Sequence, residues 1–270
     1  MTRCSAARTR FRAWGVLVVA LGCAVAGCAG AVRGRIEAPA HADAARLRVG
    51  MPTTSPPFAA ERDGTMVGIE PDLARELSRE LGRGIEIHGY EFEELIAALR
   101  AGDVDLVMAG LTATPLRALR IDFSESYLTT GQRMLVRRSD AEALSSPERV
   151  RGAGARVGVL RSSTGEQYAR ARLAPAPVRE YATVTDATSD LADGSLDVVV
   201  CDAPIVEALA RARAGSDLVA VGEPLTRERL AWGVRRGDDL LRQALDAALE
   251  RIRNDGRLAR IVVRWTDAAR

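Results

Sequence analysis

The chain has 270 residues, room for two modest domains with cores of their own. Its 38 basic residues are all arginine and stand against 36 acidic ones. Arg3, Arg8, Arg10 and Arg12 precede the first apolar stretch, so 34 basic residues remain beyond it, a balance of −2 that gives no basis for a nucleic-acid partner.

That basic start leads into an apolar stretch from Ala13 to Gly27, 15 residues, shorter than the roughly 20 of a membrane-spanning helix. Residues 1–27 therefore read as a secretory signal peptide. The stretch closes with Val25-Ala26-Gly27-Cys28, which resembles the bacterial lipoprotein cleavage box. The resemblance implies that Cys28 becomes the first mature residue and carries a lipid (palmitate among its chains) that anchors the protein to a membrane. An ordinary leader cut at a small residue is the alternative. With Cys4 and Cys23 removed and Cys28 modified, Cys201 is the one thiol left, so no disulfide framework holds the fold. The Ala/Arg/Gly-rich residues 28–45 read as a flexible tether.

Leu47–Met51 is the first expected strand, followed by the Pro-rich loop Ser55-Pro56-Pro57-Phe58. Gly68-Ile69-Glu70-Pro71-Asp72-Leu73 opens a helix, because Pro71 and Asp72 suit a first turn. Its apolar stripe is Leu73, Leu77 and Leu81, and Gly82 and Gly84 end it. Ile85–Ile87 is a short strand, Phe92–Leu99 a second amphipathic helix, and Asp103–Ala109 a third strand. A second lobe begins after Arg133–Arg137. Its strands are Val157–Leu160, Tyr181–Val184 and Leu196–Asp202, with helices over Thr164–Leu173 and Asp186–Ala192. Asp238–Ile252 and Arg257–Trp265 are two helices expected to pack back on the first lobe.

The chain repeats itself. Gly102-Asp103-Val104-Asp105-Leu106-Val107 returns as Gly194-Ser195-Leu196-Asp197-Val198-Val199, each copy a helix stop followed by a β-branched strand suited to burial on both faces. The predicted fold is α/β: two doubly wound α/β lobes joined by a two-strand hinge. Lobe I covers 46–126 and 231–270, lobe II 132–225, and the hinge 127–131 and 226–230.

In register, Gly110 and Asp202 fall at strand carboxyl ends, where open α/β sheets bind ligands. After Gly110, Thr114 is a good N-cap and Pro115 a good first helical residue. Free N–H groups there, the Thr112 hydroxyl and Arg117 converge on one spot suited to an anion, most naturally a carboxylate. Arg117 as a merely exposed side chain is the alternative. In lobe II, Arg161-Ser162-Ser163-Thr164-Gly165-Glu166 is a second donor-rich turn, with Ser163 and Glu166 spaced as a capping box. Asp202 needs a partner, either a ligand ammonium or an arginine of the other lobe. No metal-ligand spacing and no nucleophile–base pair is present, and no cofactor is expected. His41 falls in the tether and His88 near a lobe I strand.

From about Leu47 to Trp265 the chain resembles the bacterial extracellular solute-binding proteins of family 3. The matching stretches are Pro57-Phe58, Gly68–Leu73, Ala109–Arg117, Ile121–Tyr127, Gly194–Asp202, Val221–Leu225 and Asp255–Ala259. The resemblance implies a type II periplasmic-binding-protein clamp that takes a small solute, by default an amino acid, to the permease of an ABC importer. It implies a monomer in the periplasm or at the cell surface. By the same resemblance Arg117 binds a carboxylate with Gly110 and Thr112, Asp202 binds an ammonium, and Thr164 adds a second-lobe contact. Arg161 lies near a position that reads the solute side chain, and Phe92 lines the pocket. The chain departs from the family after the first strand: Pro52 and Ser55 stand where an acidic and a stacking aromatic residue are usual.

The competing reading is an exported enzyme on the same fold, a cyclohexadienyl (prephenate) or arogenate dehydratase, for which Glu166 and Glu207 are the candidate acids. A third is a ligand-sensing lipoprotein that reports to a membrane sensor.

Overall fold

The protein is described by a computed structural model covering residues 33–36, 46–212 and 217–267. The expected signal peptide, Cys28 and the remainder of the 28–45 stretch lie outside these residues. Among the described residues no helix is long and apolar enough to cross a membrane.

In chain order the strands are β1 (Arg33–Ile36), β2 (Leu47–Pro52), β3 (Thr54–Ser55), β4 (Ala59–Arg62), β5 (Thr65–Val67), β6 (Ile85–Tyr90) and β7 (Leu106–Val107). There follow β8 (Asp122–Thr130), β9 (Gln132–Arg137), β10 (Val157–Leu160), β11 (Val178–Tyr181), β12 (Val198–Asp202), β13 (Leu218–Val221) and β14 (Glu228–Val234). They form two main sheets, β1-β6-β2-β7-β14-β8 and β11-β10-β12-β9-β13, and a small antiparallel sheet of β3, β4 and β5. β2 and β10 are each central to a run of three parallel strands. Antiparallel pairings extend each sheet beyond β7 or β12, and in the first sheet β1 adds an antiparallel strand on the opposite edge.

The sequence repeat becomes a repeated tie. Arg48 at the start of β2 grips Asp105 through its backbone N–H (3.1 Å), Nε (3.1 Å) and Nη2 (2.8 Å). Arg156, just before β10, grips Asp197 with the same three groups at 2.8, 2.9 and 2.7 Å. A guanidinium fork plus one amide fixes each central strand to the turn that feeds its neighbour. Bonding to Arg156 holds the Asp197 carboxyl well below the usual carboxylate range.

Several strand bounds differ from expectation for a local reason. The stretch predicted as Asp103–Ala109 is ladder only at Leu106–Val107, where both β2 and β14 are in register. The Ile85–Ile87 strand runs on to Tyr90 because β2 continues beside it. Within the predicted tether, Arg33–Ile36 is an antiparallel edge strand on β6, whose outer backbone groups would otherwise stay unpaired.

The chain leaves the first sheet after Thr130 and enters the second at Gln132; it returns between Val221 and Glu228. The ladder pairs Thr130 with Glu228, so 127–130 and 228–230 are paired strand, and the change of sheet falls on Gly131 and on the 222–227 return. The two passages touch. Gln132 N donates to Thr226 Oγ1 at 2.9 Å, and Leu225 N to the Gln132 carbonyl at 2.8 Å. A Cβ on residue 131 would stand 2.0 Å from the Thr226 carbonyl oxygen, which leaves room only for glycine.

The helices Asp239–Asn254 and Arg257–Asp267 pack against the helix Ile69–Leu81, and the former also covers β8. Leu245, Ala248, Leu249 and Ile252 make its buried stripe. One buried apolar cluster runs from Leu73 and Trp232 of the first lobe to Val199 and Ile205 of the second, so the lobes are packed together.

Candidate functional site

The site starts at the end of β7. Gly110 takes the left-handed conformation at φ 63°, and a Cβ there would stand 2.8 Å from the Phe58 ring. Its N–H donates to Glu70 Oε1 at 2.7 Å. Glu70 is fully buried and also accepts from the Tyr127 hydroxyl (2.6 Å) and Trp232 Nε1 (3.1 Å). Burial pushes its carboxyl above the usual range against the pull of these donors.

Beyond it, Thr114 caps the short helix Pro115–Ala118 by accepting from Arg117 N at 3.2 Å. The Arg117 side chain lines the cleft, and the residue is 8% exposed. Nη1 donates to the Thr112 carbonyl at 2.9 Å, and the guanidinium carbon lies 5.6 Å from the Phe92 ring centroid. Nη2 reaches across to the Ser162 carbonyl at 3.0 Å. Ser162 has φ 60°, a left-handed conformation that is strained for a non-glycine residue and sits at this inter-lobe contact. Three of the five guanidinium N–H donors are left for another partner. Desolvation lowers the Arg117 pKa, while the nearby Asp202 and Glu228 carboxylates raise it.

From the second lobe come Thr164 and Asp202. Asp202 ends β12, and its pKa is pushed up to about 7 by burial and by the Glu228 carboxylate, with Arg117 pulling the other way. Gln132 Nε2 donates to Asp202 Oδ1 at 3.1 Å and to Thr164 Oγ1 at 3.0 Å. Glu228 Oε2 accepts from Thr112 Oγ1 and Thr164 Oγ1, both at 2.7 Å, and Glu228 Oε1 from Thr226 Oγ1 at 2.7 Å. Gln132 is fully buried, and its Oε1 has no hydrogen-bond partner.

The structure brings Ser55, Phe92, Gly110, Thr112, Arg117, Thr164 and Asp202 to one cavity. It encloses about 10 Å³, space for about one water, so the lobes are in a closed arrangement. Ser163 and Ile205 join the wall from the second lobe, and Phe58 from the first. Arg161 is not part of that wall. It turns outward to pair with Glu93 Oε1 of the other lobe at 2.7 Å and with Glu180 at 3.5 Å.

Glu166 is only half of the expected box. Its N–H donates to Ser163 Oγ at 3.1 Å, but its carboxylate accepts from Ser162 N at 2.8 Å instead of from the cap residue. Glu207 pairs with Arg133 at 2.9 Å. Among the described residues no group of three His, Cys, Asp or Glu could hold a metal ion, and Cys201 is a buried free thiol.

Phe58, Gln132 and Glu228 escaped the sequence-based selection. Phe58 had a signal in the Pro57-Phe58 pair that follows the first strand. Gln132 and Glu228 had none: each is a lone polar residue at a strand start, brought in by the Thr130–Glu228 pairing.

Residues 47–268 match the family model of bacterial extracellular solute-binding proteins, family 3. The L-arginine-binding protein of Pseudomonas aeruginosa is 31% identical over 224 residues, covering 80% of this chain and 85% of that one. An ancestral arginine-binding protein solved with glutamine bound is 32% identical, with a TM-score of 0.77 over 82% of this chain and 97% of that chain. An ancestral amino-acid-binding protein described as a precursor of cyclohexadienyl dehydratase aligns at 32% identity and a TM-score of 0.76, covering 82% of this chain and 95% of that chain. The architecture is therefore that of the type II periplasmic binding proteins.

Proposed function

This chain belongs to the bacterial extracellular solute-binding proteins of family 3, and from that premise we propose that it captures an amino acid between its lobes and delivers it to an ABC importer. The observation that carries this reading is that Arg117 and Asp202 line one enclosed cavity from opposite lobes. The remaining N–H donors of Arg117, beside the backbone N–H of Thr112, suit the α-carboxylate; the Gly110 N–H is already committed to Glu70. Asp202 suits the α-ammonium, whose positive charge would keep that carboxylate ionised. Arginine- and glutamine-bound relatives support an amino acid as the solute class. Micromolar affinity, about −8 kcal/mol, is within reach of one clamped carboxylate and one paired ammonium.

The finer parts of the proposal are these. The paired passages at Gly131 and 222–227 act as the hinge, and the lobes rotate about them. The protein works as a monomer, held at the outer side of a bacterial membrane by lipid on Cys28. It binds without chemistry: Glu166 and Glu207, the acids a dehydratase would draw on, are each engaged with an arginine, Arg170 and Arg133. The dehydratase reading keeps one point in its favour, the likeness to a dehydratase precursor.

Mass spectrometry of the solute released from purified protein tests the function, with a thermal-shift screen of the amino acids beside it. An amino acid released in stoichiometric amount and raising the melting temperature is expected. Turnover of prephenate or arogenate, or no response to any amino acid, would overturn the reading. Intact mass of the membrane-extracted protein tests the anchor: the wild type is expected at the mass of residues 28–270 plus acyl groups, and Cys28→Ser without the acyl groups.

A further inference from the structure

We infer that Glu228 is a positioning residue for closure: it joins the two lobes through the hydroxyls of Thr112 and Thr164 and turns both hydroxyl lone pairs toward the solute. The inference rests on the two-lobe clamp proposed above and adds a residue that the resemblance does not assign.

The geometry is specific. Thr112 belongs to the first lobe, where it bridges Leu230, and Thr164 opens a helix of the second. Their hydroxyl groups stand 2.7 Å from the same carboxylate oxygen, Glu228 Oε2. The other oxygen, Oε1, accepts from Thr226 at 2.7 Å, which ties the carboxylate to the return passage between the lobes. Gln132 Nε2 completes the ring from the outgoing passage, 3.0 Å from the Thr164 hydroxyl. Glu228 is 8% exposed, and no arginine pairs with it among the ion pairs of the described residues. A carboxylate so placed is kept by its hydroxyl donors.

Two consequences follow from elementary hydrogen bonding. A threonine hydroxyl has one proton, and both are committed to Glu228, so Thr112 and Thr164 can offer the solute only acceptors. Their hydroxyls therefore suit the ammonium end of a solute, and the carboxylate must be held by Arg117 and backbone N–H groups. Secondly, the Thr164–Glu228 bond crosses between lobes and joins two protein groups. It forms on closure whatever the solute, and part of the closing free energy is built into the chain.

The test uses Thr164→Val and Glu228→Gln, singly and together, in the full-length protein. Small-angle scattering of the solute-free protein reads closure directly. Each single variant is expected to be more open than wild type, and the double variant no more open than the singles. Calorimetry with L-arginine as probe should show each single variant weakened about tenfold and the double variant no weaker, because both remove the same bond. Glu228→Gln should also move the pH midpoint of binding downward by removing a negative charge beside Asp202, whereas Thr164→Val, which breaks the same bond and leaves that charge in place, should not. Solute-free scattering identical to wild type in both variants, or binding losses that multiply, overturns the inference. Should L-arginine bind no form of the protein, arginine is excluded as the solute, the amino-acid reading passes to the wider screen, and the scattering still decides the role of Glu228. Should Glu228→Gln fail to fold, Thr164→Val alone carries the scattering test.

Discussion

Arg117 of the first lobe donates through Nη2 to the Ser162 carbonyl of the second at 3.0 Å, and its other Nη nitrogen is anchored at 2.9 Å to Thr112 within its own lobe. One guanidinium thus serves as a wall of the cavity and as a bond across it. Arg117→Ala is expected to weaken solute binding by about 2–5 kcal/mol, at least thirtyfold, since buried partners are left without a donor. Arg117→Lys should recover little, because an ammonium cannot supply the planar fork. Calorimetry with the solute that co-purifies measures both.

Asp202 gives the site a pH dependence whose sign is fixed. Burial and Glu228 raise its pKa to about 7 in the closed molecule, above the ordinary value near 4. A group raised in this way favours the closed, folded form at low pH and disfavours it progressively as pH rises through about 7. Binding an ammonium needs the ionised form, so solute affinity should rise between pH 5 and 7 by up to about tenfold per unit and level off above. Asp202→Asn should bind weakly at every pH and lose the slope. Titration calorimetry across that range is the check; a flat wild-type profile would exclude Asp202 as the ammonium partner.

Gly131 offers a test of the crossing that leaves the site chemistry intact. A methyl group there meets the Thr226 carbonyl at 2.0 Å, and backbone cannot yield as a side-chain tip can. Gly131→Ala should cost about 1–3 kcal/mol, the cost of overpacking, read as a fall in melting temperature. Gly152→Ala, in the helix Pro147–Ala153 with nothing within 4 Å, should not lower the melting temperature and is expected to raise it slightly.

What the sequence disclosed follows from how local each determinant is. The repeat was legible because Asp105 and Asp197 each act on the arginine that begins the neighbouring strand, a relation stamped twice into the chain. The cap at Thr114 and Pro115 was legible because four consecutive residues suffice to make it. Glu228 was not legible, since its partners Thr112 and Thr164 lie 116 and 64 residues away and meet only when both lobes are folded and closed. The third strand was overextended for a related reason: β-branched residues mark what can be buried, while pairing depends on how far β2 and β14 run alongside.

Arg161 separates a residue that reads the solute from one that fastens the mouth of the cleft. Sequence placed it toward the solute, but it faces Glu93 of the other lobe at 2.7 Å, with its side chain 43% exposed. Nothing in residues 161–166 announces this, because Glu93 is 68 residues away. An exposed ion pair contributes little and is screened by salt. Arg161→Ala is therefore expected to weaken binding less than about fivefold, mostly by faster release. The wild-type advantage should shrink as salt is raised from 0.05 to about 1 M, where the Debye length falls to about 3 Å. Stopped-flow release measurements at both salt concentrations decide the matter. A loss comparable to that of Arg117→Ala, or a change in which amino acid is preferred, would return Arg161 to the solute.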